Sequence, residues 1–148
     1  MVIVVGGGSQ AVGALTVARE LRPSLAVYAV QATGASAAYE SWVARTPLTK
    51  SSAVTFADGL ATRSAYELTF GTLLDGLAGF VTVTDSELAD ALRLLLRTTH
   101  SLVEGAGAGG LAGLLKLRDT LAGQRVGIVI SGGNIDEETL RRVMTREI

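Results

Sequence analysis

The residue pattern predicts an α/β fold: a three-layer domain with a mostly parallel four-stranded sheet and helices on both faces. Short apolar, β-branched runs alternate along the chain with amphipathic helical stretches, and parallel strands need such crossovers to connect them. Two of the runs end in glycine clusters, Gly6-Gly7-Gly8 and Gly132-Gly133. At 148 residues, with 48% hydrophobic and 18% charged side chains, the chain has the core material of one globular domain and shows no repeat or linker.

Met1 to Val5 is a continuous apolar run, the pattern of a strand buried on both faces. Residues 9–21 carry Val12, Leu15, Val17 and Leu21 at helical spacing, with Ser9 placed as N-cap and Arg22-Pro23 as the stop. Leu25 to Val30 reads as the second strand, and the small residues from Gln31 to Ala38 lead into a helix through Trp42 and Val43. Arg45 to Thr62, polar and punctuated by Pro47 and Asp58-Gly59, reads as an irregular loop of the length that tends to carry function. A helix follows from near Ser64 to about Leu74, then a third strand from Gly79 to Val83. Thr84-Asp85-Ser86-Glu87 has the form of a capping box opening a helix that runs to about His100. Ala106 to Leu121 reads as a helix ended by Gly123, Arg125 to Ile130 as strand four, and Asp136 to Thr145 as a short terminal helix.

Composition narrows the function classes. Thirteen Lys and Arg against fourteen Asp and Glu give a net charge of −1, with no basic stripe for nucleic acid and no polybasic membrane patch. The absence of cysteine excludes disulfides, thiolate metal sites and a cysteine nucleophile, and His100 is the only imidazole. No apolar run reaches the ~20 residues that span a bilayer. With no signal peptide, the expected compartment is the cytoplasm.

In a parallel sheet ligands bind outside the carboxyl ends of the strands, which directs attention to Gly6-Gly7-Gly8, Gln31, Thr84 and Ser131-Gly132-Gly133. Glycines between a buried strand and a helix expose consecutive N–H groups and aim the helix dipole at an anion, most naturally a phosphate. No GxxxxGK[ST] pattern is present, so a P-loop hydrolase is excluded. Gly6, Gly8 and Ala11 satisfy a G-x-G-x-x-A dinucleotide fingerprint, but Gln31 stands where an NAD- or FAD-binding Rossmann module wants an acid.

Taken together, VGGGS at Val5 to Ser9, ADG at Ala57 to Gly59, VEGAGAGGLAGL at Val103 to Leu114 and IVISGGNID at Ile128 to Asp136 resemble the C-terminal portion of the serine/threonine dehydratase and serine racemase family. These are pyridoxal-phosphate (PLP) enzymes of the tryptophan-synthase-β fold type, and the motifs occur in the same order along nearly the whole chain. The resemblance implies that Gly6, Gly7, Gly8 and Ser9 form the cofactor-phosphate loop, with Ser9 replacing a fourth glycine. It places Ser131 at the pyridine nitrogen and Glu104 beside the ring, with Asp58 and Gly59 as an acidic turn bordering the site. Thr62 is a weaker candidate nearby. Read without the family, Glu104 is a helix-dipole partner, Asp58-Gly59 a plain turn and Ser131 a strand-end residue.

The resemblance also implies features that this chain lacks. Family members carry a Schiff-base lysine and an asparagine loop for the substrate carboxylate ahead of the glycine strand. Here Lys50 lies in the irregular loop and Lys116 in a helix, both without the family's surrounding sequence. The family's divalent-cation carboxylates are replaced by Gln31 and Ala37, with Ala35 at the carbonyl position, so no metal is expected there. The expectation is a fragment or truncated form of a PLP-dependent dehydratase, inactive alone, whose apolar surface pairs with a missing N-terminal half or with a second copy as a homo-oligomer. Its substrate in the full enzyme would be a small amino acid. A Rossmann-like module and a non-catalytic subunit or scaffold are the alternatives.

Overall fold

A computed structural model describes residues 1–148. Strands β1 (Val2–Val4), β2 (Tyr28–Ala32) and β3 (Gly79–Val83) form a parallel sheet in the order β1-β2-β3. The register pairs Ile3 with Ala29 and Ala29 with Phe80. The helices are α1 (Ser9–Leu21), α2 (Ala37–Ala44), α3 (Glu67–Gly76), α4 (Asp85–Thr99), α5 (Gly105–Lys116) and α6 (Glu137–Met144). None is long and apolar enough to cross a membrane.

The strands' two-residue period sorts the core into two layers. Ile3, Val5, Ala29 and Phe80 pack with Ala11 and Leu15 of α1, Ala38 of α2 and Leu73 of α3. Val2, Val4, Val30, Ala32 and Val83 point the other way, toward Leu88 and Leu92 of α4 and Ala108 and Ala112 of α5. The three-layer parallel architecture therefore stands as the sequence predicts it.

The expected fourth strand does not. Residues 125–130 contribute one parallel bridge, Val2 to Ile128, with the Val2 N–H donating to the Gly127 carbonyl at 2.9 Å. This segment lies at the open side of β1 with Gly127 in its middle, and Ile130 remains 44% exposed. An apolar, β-branched run has the same appearance whether it completes a ladder or only touches one. Other limits move less: β2 starts at Tyr28 rather than Leu25, and α5 stops at Lys116, followed by turns to Gly123 at φ +74°.

Helix α4 begins as its capping box requires. The Glu87 N–H donates to Thr84 Oγ1 at 3.1 Å, and the Thr84 N–H donates to Glu87 Oε2 at 2.7 Å. Further along, the buried Arg93 guanidinium donates to the Val143 carbonyl and to Asp90 at 2.7 Å, tying α6 to α4. Burial opposes ionisation of Glu87, but the Thr84 amide and the Lys116 ammonium outweigh it and hold the carboxyl below its ordinary value. A carboxyl lowered only in the fold stabilises above its unfolded pKa, and that stability is lost as pH falls through the folded value. Glu87→Gln is accordingly expected to lower unfolding stability at neutral pH by about 0.5–1 kcal/mol, a capping contribution reduced by solvent screening. In urea melts the difference from the parent chain should shrink as pH falls below the ordinary glutamate range.

Candidate functional site

The last sheet bond of the first strand is the Val5 N–H donating to the Val30 carbonyl at 2.8 Å. Beyond it the amides of Gly6, Gly7 and Gly8 donate to nothing within the chain. Helix α1 then starts, and its own first-turn amides have no intrahelical acceptor. The N-cap is Gly8, at φ +91° and ψ −5°, and not Ser9. The left-handed conformation thus falls on a glycine, which takes it without steric cost, while Ser9 is the first helical residue and keeps its amide free. Gly6 is required for a different reason: a Cβ there would overlap the Gly59 carbonyl oxygen.

Across from this row stand Glu104 and Ser131. Together with Gly6, Gly7, Gly8, Ser9, Gln10 and Gly59 they line a cleft of about 280 Å³. Glu104 is the N-cap of α5 but does not cap it with its side chain. Its N–H donates to the Gly132 carbonyl at 3.1 Å, and its carboxylate accepts from the Asn134 N–H at 3.0 Å. This pair of bonds fastens the turn that carries Ser131 to the start of α5. No lysine or arginine lines the cleft, so any anion held there relies on main-chain amides and the helix dipole.

Of the residues singled out in the sequence, Gly6, Gly7, Gly8, Ser9, Gly59, Glu104 and Ser131 meet in one cleft. Asp58 does not: it lines an adjoining cleft of about 410 Å³ with Asn134, Asp136 and Arg142, and Gly59 and Glu104 are shared between the two. Gln31 lies inside β2 and is fully buried, its Oε1 accepting from the Tyr39 N–H at 3.0 Å and its Nε2 donating to Thr62 Oγ1 at 3.4 Å. Both side chains are thereby given a structural task, and the ribose-binding position of a dinucleotide fold is taken by a core amide. Lys50 pairs with Glu40 at 2.7 Å and Lys116 with Glu87 at 3.0 Å, and neither lines the cleft.

One contact of the loop has no local signature in the sequence. The Thr69 hydroxyl on α3 donates to the Gly7 carbonyl at 2.9 Å across a separation of 62 residues. Only the fold brings the two together.

Comparison with known proteins agrees with this geometry. Residues 1–132 match the sequence profile of the family named pyridoxal-phosphate dependent enzyme. The L-threonine ammonia-lyase of Geobacter sulfurreducens is 38% identical over 151 aligned positions, which cover 99% of this chain and 36% of that protein. A serine racemase of Dictyostelium discoideum is 32% identical, covering 95% of this chain and 44% of that protein. Among solved structures, a threonine deaminase from T.th. superposes with a TM-score of 0.86 at 35% identity, covering 91% of this chain and 46% of that one. Maize serine racemase gives a TM-score of 0.87 at 28% identity, with 99% and 46% covered. The chain therefore spans less than half the length of each of these relatives. Matched along most of its length by that profile and superposed throughout its fold, the chain belongs to the pyridoxal-phosphate-dependent enzyme family.

Proposed function

We propose that this chain is the C-terminal part of the cofactor-binding domain of a PLP-dependent ammonia-lyase that converts a hydroxy-amino acid to an oxo acid and ammonia. The observation that carries the reading is that the Gly6 to Gly8 turn, whose amides are unpaired, and Ser131 line one cleft.

The residues fit the cofactor at both ends. Consecutive free amides at a helix N-terminus suit a phosphate group, and Gly6, Gly7, Gly8 and Ser9 would hold it. Ser131, at the far side, would meet the pyridine nitrogen, with Glu104 and Gly59 along the ring between them. A hydroxyl has no negative charge with which to stabilise a protonated nitrogen, so it would leave the ring nitrogen largely neutral. When bound, the cofactor supplies an electron sink for the substrate α-carbon, and a neutral nitrogen makes that sink a mild one, suited to loss of a β-hydroxyl. Glu104 holds the Ser131 turn through its two main-chain bonds, which keeps the hydroxyl from swinging away.

No amine of this chain reaches the cleft. On this reading the lysine that anchors the cofactor, and with it the base for the α-proton, is supplied by polypeptide beyond these 148 residues. The 148 residues alone would bind PLP without a covalent bond and without turnover. Titration of the folded chain with PLP is expected to give a saturable complex that inorganic phosphate displaces and that borohydride does not trap. A folded sample that binds no PLP, or one trapped stoichiometrically on Lys50 or Lys116, sinks the proposal.

A further inference from the structure

The glycine turn has two sides. One faces the cleft with Gly59, Glu104 and Ser131. The other faces α3, where Tyr66, Thr69 and Leu73 close a small apolar hollow against Gly6 and Gly7. The peptide unit joining Gly7 to Gly8 lies between these sides.

Its carbonyl accepts no main-chain hydrogen bond, and its one donor in the chain is the Thr69 hydroxyl at 2.9 Å. That hydroxyl has a competing acceptor, the Tyr66 carbonyl at 3.1 Å. The Tyr66 carbonyl, however, already accepts the N–H groups of Thr69 at 3.0 Å and Phe70 at 2.9 Å. The Gly7 carbonyl is therefore the nearer and the needier partner. A peptide unit is planar and trans, so its C=O and N–H point in opposite directions. Holding the Gly7 oxygen toward α3 turns the Gly8 N–H toward the cleft.

The lock matters because the flanking residues impose none. Glycine on both sides leaves the peptide free to flip about the bonds that flank it, and a flipped unit would present an oxygen to the cleft where an anion needs an N–H. We infer that Thr69 is a positioning residue: its hydroxyl fixes the Gly7–Gly8 peptide with the N–H facing the cleft and so sets the loop's affinity for a phosphate group. The inference rests on the proposed function for the identity of that phosphate, the one on PLP. Thr69 itself does not line the cleft.

Thr69→Val deletes the donor at nearly constant shape, Thr69→Ser retains it, and Thr69→Ala gives the same deletion should valine disturb the fold. The four chains are titrated with PLP and with inorganic phosphate, while amide spectra follow the Gly8 N–H. Loss of one hydrogen bond predicts roughly tenfold weaker binding of both ligands by the valine and alanine variants, with serine close to the parent. The Gly8 resonance should shift on phosphate addition in the parent and serine chains and lose that response in the other two. Equal affinity in parent and deletion variants overturns the role of Thr69 and leaves the cofactor reading standing. Failure of serine to restore binding also overturns it, because bulk rather than the donor would then be at issue. A folded parent that binds neither ligand overturns the cofactor reading and the inference with it.

Discussion

Gly7→Asp is expected to leave the chain folded and to weaken binding of PLP and inorganic phosphate by about tenfold or more. The two halves of that statement have separate causes. A Cβ on Gly7 meets only the Tyr66 ring, at 3.8 and 3.9 Å, which is ordinary contact. Gly7 also lies outside the positive-φ residues, so a side chain introduces no backbone strain. The aspartate carboxylate, however, would leave the turn on the Tyr66 side, behind the free amides, and no lysine or arginine lines the cleft to offset its charge. Across the turn, at roughly 8 Å, it would repel each charge of a bound phosphate by about 0.5–2 kcal/mol, depending on solvent access. Gly7→Ala is the matched control and should bind nearly as the parent does. Gly6→Ala is not a usable control, since its Cβ would overlap the Gly59 carbonyl and displace the wall of the cleft. Circular dichroism establishes folding and a PLP titration reads affinity. If Gly7→Asp binds as the parent does, the phosphate does not lie at this loop.

What the sequence disclosed follows from the range of each signal. Strand β3 and the start of α4 occur where predicted, because a β-branched run and a Thr-x-x-Glu cap are written within a few neighbouring residues. The cleft was legible for the same reason, since its glycines sit at strand ends where a parallel sheet directs ligands. Features that depend on partners distant in sequence were not. Residues 125–130 carry strand-like composition but find a single bridge on β1. Asp58 and Gly59 are adjacent in sequence, yet only the glycine lines the cleft at the Gly6–Gly8 turn, because the short turn at Asp58–Leu60 aims the aspartate at the neighbouring cleft. Thr69 shows nothing in its own surroundings that marks it. The glycines of 105–110, within the VEGAGAGGLAGL motif, are largely a matter of packing rather than ligand contact: all are buried in α5.

That packing leads to the largest expected loss of stability. Gly109 and Gly113 lie one above the other on α5, at i and i+4. A Cβ on Gly109 would overlap Val4, and one on Gly113 would overlap Val30 and come within 3.1 Å of Val2. Without Cβ atoms the helix backbone rests directly on the valines of the sheet. Gly113→Ala adds a good helix former, which by itself is worth about 0.5–1 kcal/mol. Against that gain stands overpacking, typically about 1–3 kcal/mol. Overpacking wins here because nothing nearby can yield: Val30 is fully buried and stiff at χ1, and α5 is wedged between the sheet and α4. The net expectation is a lower thermal midpoint, by several degrees, since each kcal/mol moves a domain of this size by about 2–4 °C. Gly13→Ala tests the same exchange without the obstruction, because a Cβ at that position in α1 has nothing within 4 Å. It should raise the midpoint by a few degrees. The opposite signs of two identical substitutions separate helix propensity from close packing. A rise for Gly113→Ala equal to that for Gly13→Ala would mean that α5 stands off from the sheet. The Glu104 carboxylate at its head would then no longer hold the turn that carries Ser131 where the cleft requires it.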